Sequence, residues 1–223
     1  AGYQTYIFDV NSEMLKKAIT VIERNLDKGI EKGKISVNQK RETLDKITIV
    51  SNLDHMVADI IIEAIVERLD VKQKLFHQLE KVNSPETILA SNTSSIPITQ
   101  IAAGLKCPNR FVGMHFFNPA HLMKLVEVIS GVATDIKVAT TIKAFAIKLG
   151  KAPVMAKDSP GFIVNRVARH FYLEGLKLME EGVAEFEQID RLIQSSGFKM
   201  GPFQLMDLIG VDTNYAVTSS MFN

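Results

Sequence analysis

The sequence contains a single cysteine, no tryptophan and no long hydrophobic run. Since Cys107 has no second cysteine to pair with, an internal disulfide is excluded, and we expect a reducing, cytoplasmic compartment. The residues around Cys107 lack the spacing of metal ligands, and we expect no bound metal. No apolar stretch approaches the ~18 residues of a membrane-spanning helix, so we expect no membrane segment.

Charge of one sign is not in excess either. The chain has 26 lysines and arginines against 25 aspartates and glutamates, which gives a formal net charge of +1 at pH 7. Because the basic residues are scattered among acids, we expect no nucleic-acid-binding surface. The 223 residues are enough for one large domain or two small ones, with ample length for a core.

The first 157 residues alternate between short β-rich stretches and longer helix-like ones. The strand-like stretches are residues 3–10, 46–50, 59–65, 87–91, 111–114, 125–129 and 153–157. The helical patterns between them cover residues 12–30, 36–45, 67–80, 98–103 and 135–149. Strands that alternate with helices predict a parallel sheet with helices on both faces.

The pattern changes at residues 158–161 (DSPG). After this point the periodicity is helical throughout, over residues 162–181, 185–195, 202–209 and 212–222. We therefore predict a domain boundary near Lys157. It divides the chain into an α/β domain, residues 1–157, and a helical domain, residues 158–223.

A histidine at the end of a predicted strand is the centre of the candidate site. His115 follows the buried stretch 111–114, and ligands bind at the carboxyl edge of an open parallel sheet. The stretch 125–129 brings Glu127 beside it, and a His–carboxylate pair suits general-base catalysis. A single histidine after a strand is also a common structural residue, and Glu127 is equally suited to be a charge on an edge strand. The spacing alone leaves both interpretations open.

Asp9 ends the first predicted strand and precedes a helix. In a dinucleotide-binding fold an acid at this place binds the ribose hydroxyls of the adenosine, whereas elsewhere it caps the helix. The glycine-rich turn G-x-G-x-x-G, which normally lies roughly 20 residues upstream, is absent. A parallel sheet without its first strand would leave apolar surface on its neighbours, so we expect that an N-terminal segment has been lost.

Other polar residues follow predicted strands or the domain boundary. Residues 91–95 (SNTSS) either bind a polar ligand or form a helix cap and turn. Glu67 and Lys72 either face a cofactor or lie on plain surface. Asn165 stands among apolar residues at the start of a helix and needs a hydrogen-bond partner, which is either structural or a substrate in the cleft between the domains.

Six stretches in this order resemble the L-3-hydroxyacyl-CoA dehydrogenase family, which includes the 3-hydroxybutyryl-CoA dehydrogenases. They are residues 62–67 (IEAIVE), 90–95 (ASNTSS), 113–119 (GMHFFNP), 123–129 (MKLVEVI), 158–166 (DSPGFIVNR) and 200–203 (MGPF). The resemblance extends over nearly the whole chain.

The resemblance implies an NAD-binding domain with a Rossmann-type parallel sheet, here without its first strand and glycine-rich turn, followed by an all-α domain. The all-α domain would close the substrate cleft and form a homodimer. Since the family's helical domain continues past the position of Asn223, we expect the chain to be incomplete at that end too. The implied reaction is the reversible, NAD-dependent oxidation of an (S)-3-hydroxyacyl-CoA to a 3-ketoacyl-CoA, in fatty-acid β-oxidation or butanoate metabolism.

The resemblance also implies roles for individual residues. His115 would take the proton from the 3-hydroxyl group, and Glu127 would orient the imidazole. Ser94 and Asn165 would hydrogen-bond the reacting oxygen or the imidazole, so that the substrate-binding residues would be Ser94, His115 and Asn165. Asp9 would hold the adenosine ribose, and the other implied NAD contacts are Ala64, Glu67, Lys72, Asn92 and Asn118.

Two alternatives accompany this interpretation. One is a non-catalytic relative of the same fold with a structural or nucleotide-sensing role. The other is the dehydrogenase part of a multifunctional β-oxidation protein.

Overall fold

The computed structural model describes residues 2–222. Within them the strands are β1 (Thr5–Ile7), β2 (Ile47–Ile49), β3 (Ile60–Glu63), β4 (Ile88–Ser91), β5 (Phe111–Phe116), β6 (Leu125–Ser130) and β7 (Ala152–Lys157). The helices are α1 (Ser12–Glu31), α2 (Val37–Asp45), α3 (Leu69–Val82), α4 (Ile98–Ala102), α5 (Ile136–Lys148), α6 (Val164–Glu180), α7 (Phe186–Ser195), α8 (Pro202–Ile209) and α9 (Val211–Phe222). The predicted order, a Rossmann-type α/β part followed by an all-helical part, is confirmed.

Local signals in the sequence mark several helix starts. The Asn11 side chain accepts a hydrogen bond from the Glu13 N–H and caps α1. Ser36 caps α2 in a reciprocal capping box with Gln39, so two backbone donors at this helix start are satisfied. These caps explain why the predicted and observed starts of α1 and α2 agree closely.

The main sheet has the order β3-β4-β5-β6-β7, and β1 and β2 form a separate parallel pair. The predicted parallel arrangement holds from β3 to β5 and again between β6 and β7, but β6 runs antiparallel to β5. The reason is the short connection, residues 117–124, since a parallel crossover needs about a dozen residues or more. The chain therefore turns back at this point and places β6 directly beside β5.

The two faces of the sheet carry separate cores. Val112 and Met114 of β5 and Val126 and Val128 of β6 pack with α5. Phe111 of β5 belongs to the opposite core, together with Ile129 of β6, Phe76 and Leu79 of α3, and Ile98 and Ile101 of α4. Because successive side chains of a strand alternate between faces, His115 and Glu127 lie on the α3–α4 side.

Close packing at Gly113 leads to a prediction about stability. A Cβ atom at this position would lie 2.8 Å from both the Ile129 Cβ and the Ile98 Cδ1 atoms, which is closer than real contacts allow. Gly113→Ala is therefore expected to lower the free energy of unfolding by about 1–3 kcal/mol, as overpacking of a core does. Urea unfolding measures this.

The matched control is Gly29→Ala in α1. Its Cβ atom would meet only the flexible end of Ile35, at 3.2 Å, and alanine favours a helix over glycine. The control is expected to unfold at the same or a higher urea concentration than the original protein. Equal stability of the two variants would contradict the packing argument at Gly113.

The helical part has its own polar anchor. The buried Asp190 side chain accepts hydrogen bonds from the backbone N–H groups of Phe203 and Gln204, at 3.0 and 2.9 Å, and so fixes the start of α8.

Among residues 2–222, no helix is both long and apolar enough to cross a membrane.

Candidate active site

The antiparallel pairing of β5 and β6 places His115 directly opposite Glu127. Their side chains lie on the same face of the sheet, and the His115 Nδ1 atom is 2.8 Å from the Glu127 Oε2 atom. Both are withdrawn from solvent, with 5% and 1% of the side-chain surface exposed. The sequence predicted this pair, and the register of the two strands brings it together.

The second oxygen of Glu127 is held by the helical part of the chain. Its Oε1 atom accepts hydrogen bonds from the backbone N–H groups of Ile163 and Val164, both at 2.9 Å. Burial by itself would raise the pKa of Glu127, but the hydrogen bonds from His115, Val164 and Ile163 outweigh it and hold the pKa below its usual value. Glu127 is therefore an ionised carboxylate at neutral pH.

The ionised carboxylate determines the tautomer of the histidine. Since a carboxylate can only accept hydrogen bonds, the Nδ1 atom of His115 carries the proton. In the neutral ring the Nε2 atom is then an acceptor, and the Ser94 Oγ atom lies 3.2 Å from it. The acceptor nitrogen of the imidazole is thus directed at Ser94, in the loop after β4.

Asn165 completes the predicted group of four. Its Nδ2 atom donates to the backbone carbonyl of Ser94, at 3.2 Å, and not to the imidazole. The structure therefore brings together all four residues that the resemblance placed in the reaction: Ser94, His115, Glu127 and Asn165. The Asn165 contact also ties the first turn of α6 to the loop after β4.

A buried ion pair lies beneath this loop. The Lys72 Nζ atom is 2.6 Å from the Glu63 Oε1 atom and 3.2 Å from the Glu67 Oε2 atom, and only 1% of the Lys72 side chain is exposed. The Ser91 hydroxyl donates to the other oxygen of Glu63, at 2.6 Å. A plain-surface role for Lys72 is therefore excluded.

Sequence reasoning placed Ser91 in the polar run 91–95 but did not predict its contact with Glu63. The sequence signal that could have pointed to a buried polar contact was Glu63, a charged residue at the end of the otherwise apolar strand β3. In the parallel register of β3 and β4, Glu63 is paired with Ser91, which only knowledge of the strand pairing reveals.

Glu67 holds the loop that carries Ser94. Its Oε1 atom accepts hydrogen bonds from the Thr93 hydroxyl, at 2.6 Å, and from the N–H groups of Ser94 and Ser95, at 2.9 and 3.1 Å. Burial would raise the pKa of Glu67, but the Thr93 hydrogen bond and the charge of Lys72 outweigh it and lower the pKa. A charged carboxylate is thus used to fix the position of Ser94.

An open cavity of about 580 Å³ lies at the carboxyl ends of β3 and β4, beside Ser94. A Rossmann-type sheet binds its nucleotide at such ends. Three of the predicted cofactor-binding residues line this cavity: Ala64, Glu67 and Asn92. Asp212, Thr213 and Val217 of α9 line its other side, so that the cavity lies between the α/β part and the helical part.

The remaining predicted cofactor residues lie outside this cavity. Asp9 is exposed after β1, and its Oδ1 atom accepts a hydrogen bond from the Asn11 N–H at 2.8 Å, which supports the start of α1. Asn118 is exposed in the connection between β5 and β6. Lys72 lies beneath the cavity and reaches it only through Glu67.

The fold and the site together define a class of protein. It is a two-part α/β protein of the Rossmann type, with a histidine–carboxylate pair on its sheet and a helical part that contacts this pair. Two family models match this chain: the NAD binding domain of 3-hydroxyacyl-CoA dehydrogenase over residues 1–159, and the C-terminal domain of the same enzyme over residues 161–223. The chain belongs to the 3-hydroxyacyl-CoA dehydrogenase family.

Individual relatives agree with this assignment. A 3-hydroxyadipyl-CoA dehydrogenase from Escherichia coli is 46% identical over 100% of this chain and 47% of its own length. A probable 3-hydroxybutyryl-CoA dehydrogenase from Bacillus subtilis is 42% identical over 96% of this chain and 75% of its own length. The crystal structure of a 3-hydroxybutyryl-CoA dehydrogenase from Escherichia coli superposes with a TM-score of 0.96 at 46% identity, covering 99% of this chain and 47% of that one. The chain thus spans about half of one relative and three quarters of the other.

Proposed function

We propose that this chain carries the active site of an NAD-dependent 3-hydroxyacyl-CoA dehydrogenase. The reaction is the reversible oxidation of an (S)-3-hydroxyacyl-CoA to the 3-ketoacyl-CoA. One observation carries the proposal: the hydrogen-bonded series Ser94–His115–Glu127, with distances of 3.2 and 2.8 Å, stands beside a cavity in an NAD-binding domain of this family.

The histidine acts as the general base. With Nδ1 held by Glu127, the Nε2 lone pair of His115 accepts the proton of the 3-hydroxyl group. The imidazolium ion that forms is stabilised by the Glu127 carboxylate, which is already ionised and needs no reorganisation. In the reverse direction the same Nε2–H donates its proton to the carbonyl oxygen.

Ser94 and Asn165 position the substrate. The Ser94 hydroxyl lies beside the Nε2 atom and also lines the cavity, so it marks where the reacting oxygen is bound. Asn165 holds the Ser94 backbone and comes from the helical part, which makes the substrate site depend on both parts of the chain.

When bound, NAD would accept the hydride from the C3 carbon, whose hydroxyl group gives its proton to His115. The residues proposed to hold it are Ala64, Glu67 and Asn92 along the cavity, Asp9 at the adenosine ribose, and Asn118 in the connection after β5. Lys72 belongs to this set through its ion pair with Glu67. The polar lining at the carboxyl ends of β3 and β4 fits a nucleotide of this kind.

Further parts of the proposal concern the whole protein. The boundary between the domains lies near Lys157. A homodimer forms through the helical domain, which is supported by large apolar side chains exposed there: Leu192, Leu208 and Tyr215. A cytoplasmic location is supported by the single cysteine, Cys107.

The proposal predicts activity in a direct assay. The full-length protein is expected to oxidise NADH when acetoacetyl-CoA is added, and to show a higher kcat/KM with NADH than with NADPH, since the carboxylate of Asp9 disfavours a 2′-phosphate. The decrease in absorbance at 340 nm measures both. A folded protein that binds NADH but never consumes it with 3-ketoacyl-CoAs of any length would instead support the nucleotide-sensing alternative.

A further inference from the structure

A strained turn joins the two parts of the chain directly behind the His115–Glu127 pair. Phe162 has a φ angle of +50°, and it is the one non-glycine residue with positive φ in the described part of the chain. Such a conformation is unfavourable in a residue with a side chain, and it persists only where the surroundings impose it. The position of this strained residue beside the candidate active site suggests that its conformation serves the site.

The surroundings hold Phe162 firmly. Its ring is buried, with 2% of the residue exposed, and it belongs to the core on the α3–α4 side of the sheet. The ring centroid lies 5.9 Å from that of the His115 imidazole. The Phe162 N–H donates to the Ser159 carbonyl at 2.9 Å, which closes the turn.

The start of the turn is anchored as well. The Asp158 carboxylate accepts hydrogen bonds from the N–H groups of Ile98 and Thr99, at 2.9 and 2.7 Å, and from the Thr99 hydroxyl at 2.6 Å. The turn is therefore fixed to α4 at one end and to the core at the other. What it controls is the direction of the chain immediately after Phe162.

The next two N–H groups, those of Ile163 and Val164, both point at the Glu127 Oε1 atom. They stand at the start of α6, whose 17 residues add a favourable dipole for an anion at this end. With Oε1 held by two donors, the carboxylate has one remaining orientation, in which Oε2 faces the His115 Nδ1 atom.

We propose that Phe162 is a positioning residue of the reaction. Its left-handed backbone, locked by the burial of its ring, aims the N–H groups of Ile163 and Val164 at Glu127, and through Glu127 it fixes the imidazole. The inference rests on the proposed function and deepens it. It also makes the His115–Glu127 pair complete only while α6 is docked, so that the orientation of the imidazole depends on the placement of the helical part.

A double-mutant cycle in the full-length protein tests the proposal. Phe162→Gly removes the ring and lets the turn relax, and it is expected to lower kcat about 10-fold with little change in KM, the effect of losing about one hydrogen bond to a charged group. In a Glu127→Ala background the same change is expected to lower kcat less than 2-fold, because its target is gone. If the alanine background does not fold, Glu127→Leu, which also lacks an acceptor oxygen, serves in its place.

Two controls separate positioning from general packing. Phe162→Leu keeps a buried side chain at the turn and is expected to retain kcat within about 3-fold, again on the scale of the hydrogen bonds involved. Phe76→Leu changes a fully buried phenylalanine of the same core, and its effect on kcat is expected to be the same in both backgrounds. Equal fold-losses from Phe162→Gly with and without Glu127 would overturn the proposal.

A measurement independent of turnover distinguishes this proposal from the proposed function. The Nδ1–H proton of His115 is expected to give a downfield NMR signal that is lost or shifted in Phe162→Gly and kept in Phe162→Leu. If the signal behaves so while no 3-ketoacyl-CoA is reduced, the positioning stands and the proposed reaction fails. If the signal is unchanged in Phe162→Gly, the positioning fails whatever the activity.

Discussion

Replacing His115 by alanine is expected to lower kcat for 3-ketoacyl-CoA reduction by roughly two to four orders of magnitude, the usual contribution of a general acid or base. The Nε2 atom is the proposed proton acceptor beside Ser94, and alanine leaves no group at that place. The remaining rate would come from binding alone. Steady-state kinetics with NADH and acetoacetyl-CoA in the full-length protein measure the change.

The matched control removes a histidine elsewhere. His77 lies exposed on α3, and His77→Ala makes the same chemical change outside the site. Its kcat is expected to stay within about 2-fold of the original, as a surface substitution usually does. Turnover by a folded His115→Ala protein within 10-fold of the original would reject the general-base assignment.

Replacing Glu127 by glutamine is expected to lower kcat by a factor on the order of 10²–10⁴. Carboxylates that hold a catalytic imidazole in its productive tautomer have effects of this size. The change keeps the shape of the side chain but removes the charge that is proposed to stabilise the imidazolium ion. The loss is expected mainly in kcat, since Glu127 is buried behind the histidine and does not line the cavity. A substantially raised KM with normal kcat would contradict this role.

The same variant tests the lowered pKa of Glu127 through stability. The pKa is held below the usual 4.5, so the folded protein releases this proton more readily than the unfolded chain does. The stabilisation is therefore present above about pH 4.5 and is lost as the pH falls through the folded-state value. Urea unfolding of the original protein and of Glu127→Gln is expected to show a difference in stability at pH 7 that shrinks below pH 4.5.

Glu67 contributes a similar pH dependence, but it is present in both proteins and cancels in this comparison. A difference between the two proteins that stays constant from pH 7 to pH 3 would show that the Glu127 carboxylate titrates alike in both states. In that case the hydrogen bonds from Ile163 and Val164 would not favour its charge.

Much of the fold follows from local patterns. The capping box at Ser36 marks the start of α2, and the nearly continuous apolar stretches of β5 and β6 mark two strands that are buried on both faces of the sheet. The change of pattern after Lys157 separates the strands from the helices. Each of these signals depends on residues close together in the chain, which is why sequence reasoning reaches them.

The direction of β6 could also have been predicted from the sequence. Parallel strands were expected throughout, yet residues 117–124 are too few for a crossover helix. Weighing the length of that connection would have predicted the antiparallel direction, whereas the register that sets His115 against Glu127 is known only from the structure.

The charged residues of the site show where sequence reasoning ends. A lysine on a helix is normally exposed. The residues next to Lys72 in the sequence do not predict that its ammonium group is buried between Glu63 and Glu67. Burial of such a group depends on partners from other elements, and the Ser91 hydroxyl that satisfies Glu63 is one strand away.

The sequence by itself determined the order of the elements, the resemblance to a dehydrogenase family and the residue types that can move a proton, because these are properties of short stretches. Only the tertiary structure decided how the proposed proton acceptor is assembled. The register of β5 and β6 joins His115 to Glu127, and the strained turn at Phe162 brings two backbone donors to the same carboxylate. These contacts join residues far apart in the chain, and their geometry exists only once both parts are packed together.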